Sequence, residues 1–318
     1  MLRIGVLAYP GCFASEVFGI PDLLTMASHL AAHGPAYDVT VMSPRRRVVG
    51  AGGAVLTVAP VRPVDVLVVP GFELYPALDL DATLTSLRPE IETIKASAAS
   101  GIAVVSICVG AFLLAEAGLL AGREATTAWL FAGQLANRCP DTEVRPEKLV
   151  VTDRGVTTTG AFSAMYDFAL GLIREHSGSR IARATARIAL VDDARPSQSP
   201  YVEAALLPTA GTEFSQRVKR KLDQEMRYDL AQVAGAFGVS TRTLLRRFRA
   251  ETGQTPLGYL QSARVRKAKH LLETTDRTVA SIAAEVGYRD VGTFSTVFTR
   301  QTGHRPREYR TTFRRAGV

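Results

Sequence analysis

Along the first two-thirds of the chain, apolar positions form short unbroken runs separated by longer stretches of helical period. The runs 2–7, 37–42, 64–69, 102–107, 149–151 and 156–158 are rich in β-branched residues. A run such as Val66-Leu67-Val68-Val69, with no polar alternation, predicts a strand buried on both faces, as in a parallel sheet covered by helices. Helices are predicted over 18–32, 84–100, 110–117 and 125–137. Strand and helix in repeated alternation predict a doubly wound α/β sheet, which places its ligands beyond the C-terminal strand ends.

Near residue 212 the pattern changes to helices alone, and it repeats. The segment 230–240 returns as 279–290, at an offset of 49 up to Gly238 and Gly287. Past those glycines the pairs Leu244/Phe294, Phe248/Phe298, Gly253/Gly303, Pro256/Pro306 and Tyr259/Tyr309 match at 50. One unit is therefore present twice, with one extra residue in the second turn. In each copy a helix ends at a glycine able to take positive φ, and Ser240 or Asp290 then caps a second helix. Small Ala234 and Ala283 let the two helices approach closely. This is the signature of a helix-turn-helix, whose second helix enters the major groove.

Helix geometry then assigns faces. Leu244 and Phe248 lie one turn apart and face the core, while Arg242 and Arg246 share a neighbouring face. Arginine suits bidentate contact with guanine, and Leu245 suits a thymine methyl. Thr241, Arg242, Leu245, Arg246 and Arg249 are the candidate DNA contacts of the first copy, with Arg247 and Arg249 read as phosphate contacts or solvated charges. In the second copy Val291, Gly292, Thr293 and Thr296 face out, a surface with few strong hydrogen-bonding groups, which predicts weak reading. A continuous helix over 257–273, made basic by Arg264, Arg266, Lys267 and Lys269, is expected to hold the two readers about 34 Å apart.

Composition sharpens the division. The 318 residues carry 38 Lys+Arg and 30 Asp+Glu, a net charge of +8. Residues 1–211 hold 17 Lys+Arg and 20 Asp+Glu, a net of −3, and residues 212–318 hold 21 and 10, a net of +11. The basic end suits double-stranded DNA, and the faintly acidic end is expected to stay off it. An apolar fraction of 47% excludes a mainly disordered chain. No apolar run reaches the ~18 residues of a membrane span, and Tyr9-Pro10-Gly11 ends the first strand without a signal cleavage site, so no membrane partner and a cytoplasmic location are expected. Cys12, Cys108 and Cys139 are too few and too oddly spaced for a disulfide framework or a metal site. Neither metal nor cofactor is expected.

Three strand ends carry candidate chemistry. Cys108-Val109-Gly110 follows 102–107 at a sharp strand-to-helix turn, where a helix N-terminus favours the thiolate. A lone cysteine by itself reads first as a buried small hydrophobe. Pro70-Gly71 follows 64–69 with amides facing the same crevice, and Glu16 follows the first strand. The stretch 106–123, Ser106-Ile107-Cys108-Val109-Gly110-Ala111-Phe112 onward, with Thr126-Thr127-Ala128-Trp129, 158–164 and 167–170, resembles the DJ-1/PfpI superfamily. More narrowly, it is similar to the amidase-like sensor domain of GlxA-type regulators. The resemblance covers about residues 1–195 and implies a flavodoxin-like sandwich with Cys108 on a nucleophile elbow and Glu16 beside it. About residues 212–315, through Arg246–Pro256 and Ile282–Pro306, resemble the AraC/XylS family of DNA-binding domains, which makes 212–318 the DNA-binding domain and 196–211 the linker.

The departures from those patterns bear on function. Hydrolytic relatives carry a histidine directly after the cysteine, where this chain has Val109, and sensor relatives often have one where it has Ala128. The five histidines, His29, His33, His176, His270 and His304, avoid the expected strand ends. Phe72 replaces a second glycine useful for an oxyanion nest. No catalytic residue is assigned. Glu16, Phe72, Cys108, Val109 and Phe162 are expected to line a small-molecule site, with a cationic or amine-bearing effector favoured by Glu16. The reading is a transcription regulator, expected as a homodimer and with RNA polymerase as a further partner. A Cys108-dependent hydrolase or hydratase, or a thiol redox sensor, with an appended DNA-binding domain, is the alternative.

Overall fold

The computed structural model describes residues 1–31, 36–75, 78–193, 195, 197–202, 213–226, 228–252 and 254–314. These divide into two compact units between Gln198 and Ser199.

The first unit runs β1 (Leu2–Leu7), α1 (Ala14–Leu30), β2 (Tyr37–Ser43), then the short strands β3 (Val48–Val49), β4 (Val55–Leu56) and β5 (Ala59–Pro60). It continues β6 (Val66–Val69), α2 (Leu80–Ser86), α3 (Arg88–Ala99), β7 (Ala103–Ser106) and α4 (Ala111–Glu116). The rest is β8 (Glu124–Ala125), α5 (Ala132–Arg138), β9 (Glu143–Val144), β10 (Val150–Asp153), β11 (Val156–Thr159), α6 (Ala164–Ser177) and α7 (Ser179–Ala189). Seven strands form one sheet in the order β10-β11-β7-β6-β1-β2-β5, parallel throughout except for the β10–β11 pair. All four residues of β6 are buried, as their unbroken apolar run requires. The strand order reverses between β1 and β6, so the loops leaving β1, β6 and β7 meet at the switch point where such sheets bind ligands.

Local differences from the sequence expectation have plain causes. The helix expected over 84–100 is two helices, because Pro89 in the first turn of α3 has no N–H to continue α2. The helix expected from 125 starts at Ala132: Glu124–Ala125 pairs with β9, and the Thr126 amide is held by Thr158 Oγ1. α1 ends at Leu30, and His33 lies outside the described residues. Of the expected linker 196–211, residues 196 and 203–211 lie outside them too. Gln198 is buried within the first unit, which therefore continues past 195, and Pro200 is buried within the second, which begins before 212.

The second unit is helical: α8 (Glu213–Glu225), α9 (Leu230–Ala236), α10 (Thr241–Thr252), α11 (Pro256–Thr274), α12 (Val279–Glu285), α13 (Val291–Thr302) and α14 (Pro306–Phe313). Gly238 and Gly287 take φ of 63° and 88° between the paired helices, and Ser240 and Asp290 accept the amides of Thr243 and Thr293 as caps. Gly253 lies outside the described residues. Each copy has its own core. One holds Val233, Ala234, Leu244, Phe248 and Leu260, and the other holds Val265, Ile282, Ala283, Phe294 and Phe298. Each large side chain so buried contributes roughly 1.5–3 kcal/mol. The 19-residue α11 contributes to both and spans about 28 Å.

Candidate functional site

Two surfaces bring the sequence-predicted residues together. On α10, Leu244 and Phe248 are fully buried, and the residues between them turn outward. Thr241, Arg242, Leu245, Arg246 and Arg249, with Ala250 and Thr255, line an open groove of about 820 Å³. Among the described residues none of these three arginines has an ion pair or side-chain hydrogen bond, so their guanidinium forks are free to meet a ligand. Arg247 is different. It pairs with Glu251 at 2.7 Å and lies over the Phe214 ring, 4.0 Å from its centroid, and is a structural side chain.

On α13 Val291, Gly292, Thr293 and Thr296 are exposed as expected, but both hydroxyls are already engaged. Thr293 Oγ1 donates to Asp290, and Thr296 Oγ1 donates to the Gly292 carbonyl. The four basic residues expected on the connecting helix are there, but each has a partner within the unit. Arg264 donates to the Met226 carbonyl and covers Tyr288, Arg266 lies by Asp223 and Tyr259, Lys267 by Glu285, and Lys269 donates to the Val202 carbonyl. These four charges hold the unit together, so the net +11 overstates the phosphate footprint.

In the first unit, Cys108 sits at the end of β7 with φ of 53°, the strained elbow expected of it. Glu16 and Cys108 both border Gly71: a methyl built there would lie 3.0 Å from Glu16 Oε2 and 3.1 Å from Cys108 Cβ. The Gly71 amide donates to Glu16 Oε2, while Glu16 Oε1 is buried with no partner. The loops after β1 and β6 are stitched by Phe13 N to the Gly71 carbonyl and by a Cys12–Phe72 bridge. Glu16, Phe72, Cys108 and Val109 are all buried, whereas Phe162 is 41% exposed and meets Phe13 edge-on at 6.2 Å. Phe162 is thus the outermost of the five. Phe13 and the buried Tyr9, whose hydroxyl donates to the Pro70 carbonyl, belong to the same wall and carried no sequence signal beyond being aromatic.

The helix N-terminus expected to favour the thiolate is opposed by burial, which pushes the Cys108 thiol up to about 12, with the neighbouring Glu16 charge adding to it and the Val109 and Phe162 amides acting against it. Burial also pushes Glu16 up to about 7, against the Gly71 amide. His29 and His176 stand at the opposite edge of the sheet: α1 runs back toward the start of β2, and His176 packs on Tyr37 there.

Sequence reasoning missed Gln198. Its side chain is buried, Oε1 accepts from Ala161 N at 3.1 Å and Trp129 N at 3.3 Å, and Nε2 donates to the carbonyls of Thr127 and Lys148 at 2.9 and 3.1 Å. Thr127 Oγ1 in turn donates to the Cys108 carbonyl at 2.8 Å. A methyl on Gly160 would come within 2.8 Å of Gln198 Oε1, so only glycine leaves room. In the sequence this residue lies in a Ser/Pro-rich stretch that reads as linker.

Comparison with known proteins agrees with both halves. Residues 37–175 match the DJ-1/PfpI family, and residues 233–312 match a helix-turn-helix domain. The HTH-type transcriptional regulator GlxA of Rhizobium meliloti (strain 1021) is 31% identical over 235 residues, covering 71% of this chain and 69% of that one. An alignment of that length does not fit within either unit and must include parts of both. The chain belongs to the GlxA-like transcriptional regulators. Within this family the α/β unit is the DJ-1/PfpI-like sensor and the helical unit the AraC-type DNA-binding domain. The HTH-type transcriptional activator RhaS of Enterobacter sp. (strain 638) is 46% identical over 78 residues, which cover 24% of this chain and 28% of that one. A solved AraC family transcriptional regulator from Pseudomonas putida superposes on 59% of this chain and 100% of its own, with TM-score 0.50 and 22% identity, and shares the fold.

Proposed function

We propose that this chain is a ligand-responsive transcription regulator in which α10 reads duplex DNA and the α/β unit binds a small metabolite without turning it over. The observation that carries the DNA half is the α10 face, where Arg242, Arg246 and Arg249 stand unpaired around an open groove while Leu244 and Phe248 anchor the helix beneath. Arg242 and Arg246 read bases, Thr241 and Arg249 hold phosphates, and Leu245 packs on a thymine methyl. The α13 face, with its hydroxyls engaged, contributes apolar and backbone contacts.

Three features support a sensor rather than a catalyst. A cysteine hydrolase needs a base within reach of the thiol, and neither described histidine of the α/β unit, His29 or His176, lies at that edge. The Gly71 amide that an oxyanion would need is engaged by Glu16, and the thiol is held far above the range of a thiolate. The partnerless Glu16 oxygen favours an effector that brings a hydrogen-bond donor, a cationic or amine-bearing metabolite. The protein acts as a cytoplasmic homodimer, with RNA polymerase as a further partner at the promoter.

Selection of duplexes from a random library by the full chain tests this. The expected product is a motif with one strongly specified block and a weaker one about a helical turn (~10 bp) away. Recovery of unrelated sequences overturns the reading.

A further inference from the structure

The net −3 of residues 1–211 conceals a local excess of the opposite sign. Arg180, Arg183 and Arg187 fall within an arc of about 60° on α7, at the 3.6-residue turn. All three are exposed, while the opposite face buries Ile181, Ala182, Thr185 and Ala186. No Asp or Glu occurs between residues 176 and 191. Among the described residues none of the three has an ion pair or side-chain hydrogen bond. Elsewhere in this unit Arg3, Arg45, Arg62, Arg138, Arg145 and Arg195 each meet a carboxylate, and although among the described residues Arg46, Arg47, Arg88 and Arg174 do not, only α7 sets three unpaired arginines on one helix face. Ordinary solvated helices intersperse opposite charges three or four residues apart, and α7 does not.

We propose that this stripe is a second DNA-contacting surface, which holds the phosphate backbone flanking the site read by α10. It rests on the DNA reading of α10 given above. The stripe is about 10 Å long, roughly the axial length of three phosphates on one strand at about 3.4 Å each. Guanidinium forks match phosphate oxygens two at a time, which favours arginine over lysine. The contact carries no base information. It adds affinity and sensitivity to salt, and it makes the α/β unit part of the footprint on DNA.

The test measures affinity of the full chain for its selected duplex, with long flanks, between 50 and 200 mM salt. Each phosphate contact contributes about 0.9 to the slope of log affinity against log salt. The variant R180Q/R183Q/R187Q should therefore lose about 2.7 from that slope, so that the wild type weakens about forty-fold more than the variant across this range. Arg→Lys at the same three positions should keep the slope, and Gln at the exposed Arg46 and Arg47 should leave it unchanged. An unaltered slope in R180Q/R183Q/R187Q overturns the proposal. So does a changed oligomeric state by sedimentation, since Ile188, 60% exposed beside the stripe, would then mark a protein interface. A wild type without sequence preference would overturn the α10 reading instead, and the slope comparison would still decide α7, because counterion release does not depend on sequence.

Discussion

Replacing Gln198 by alanine removes one buried side chain from four backbone partners, of which the Thr127 carbonyl is buried and the others partly so, and the cost can be worked from the geometry. Three of its bonds, to Ala161 N, Thr127 O and Lys148 O, are 3.1 Å or shorter. At about 1 kcal/mol net for each, the loss is about 3 kcal/mol; stranded partners raise it and an entering water lowers it. For a unit of this size that corresponds to a fall of about 6–12 °C in melting temperature. The chain has a single tryptophan, Trp129, whose amide is bonded to Gln198 itself. Its fluorescence therefore reports the unfolding of the α/β unit within the intact protein. Urea titration of wild type and Gln198→Ala, followed by that signal, should show the difference, and Gly160→Ala should cost the wild type more than it costs Gln198→Ala, because the added methyl clashes with the amide that the variant lacks. A Gln198→Ala loss below about 1 kcal/mol would refute the reasoning, since one ordinary exposed bond accounts for that much.

Glu16 is raised to about 7 by burial, so the fold favours its protonated form: its stabilisation is full below the unfolded value near 4.5 and lost as pH rises through 7. Relative to Glu16→Gln, the wild type should lose about 3 kcal/mol between pH 4.5 and 8 in urea titrations, and a flat difference would contradict the burial. With its thiol raised to about 12, Cys108 should be alkylated far more slowly at pH 8 than half-buried Cys139, as read by mass spectrometry of the labelled peptides. Arg247→Ala should lower the unfolding temperature of the helical unit without changing which base pairs are preferred, since Arg247 is held by Glu251 and Phe214.

Much of this was legible in the sequence because periodicity and burial coincide. β6 reads as a doubly buried strand from four consecutive apolar residues, and the duplicated Leu244/Phe294 and Phe248/Phe298 spacing gives both readers and their outward faces. Helix α7 went unread although its period is plain, with Ile181, Ala182, Thr185 and Ala186 on one face and Arg180, Arg183 and Arg187 on the other, because its apolar face is mostly small residues that no unbroken apolar run marks. Pairing between distant residues was equally hidden. Nothing local says that Arg264 and Lys269 serve carbonyls at Met226 and Val202 rather than phosphates. The elbow at Cys108 was readable, but the state of its thiol depends on how many atoms exclude water around it, which no spacing encodes.

The central claim is that α10 reads bases through Arg242 and Arg246. On the selected duplex, affinity should be measured for every single base-pair change with the wild type and with Arg246→Ala. The wild type should discriminate by about 1–3 kcal/mol, some 5- to 150-fold, at a guanine under Arg246, and Arg246→Ala should lose that preference there while keeping the others. Uniform weakening across all sequences, with every preference retained, would make Arg246 a phosphate contact and contradict the account.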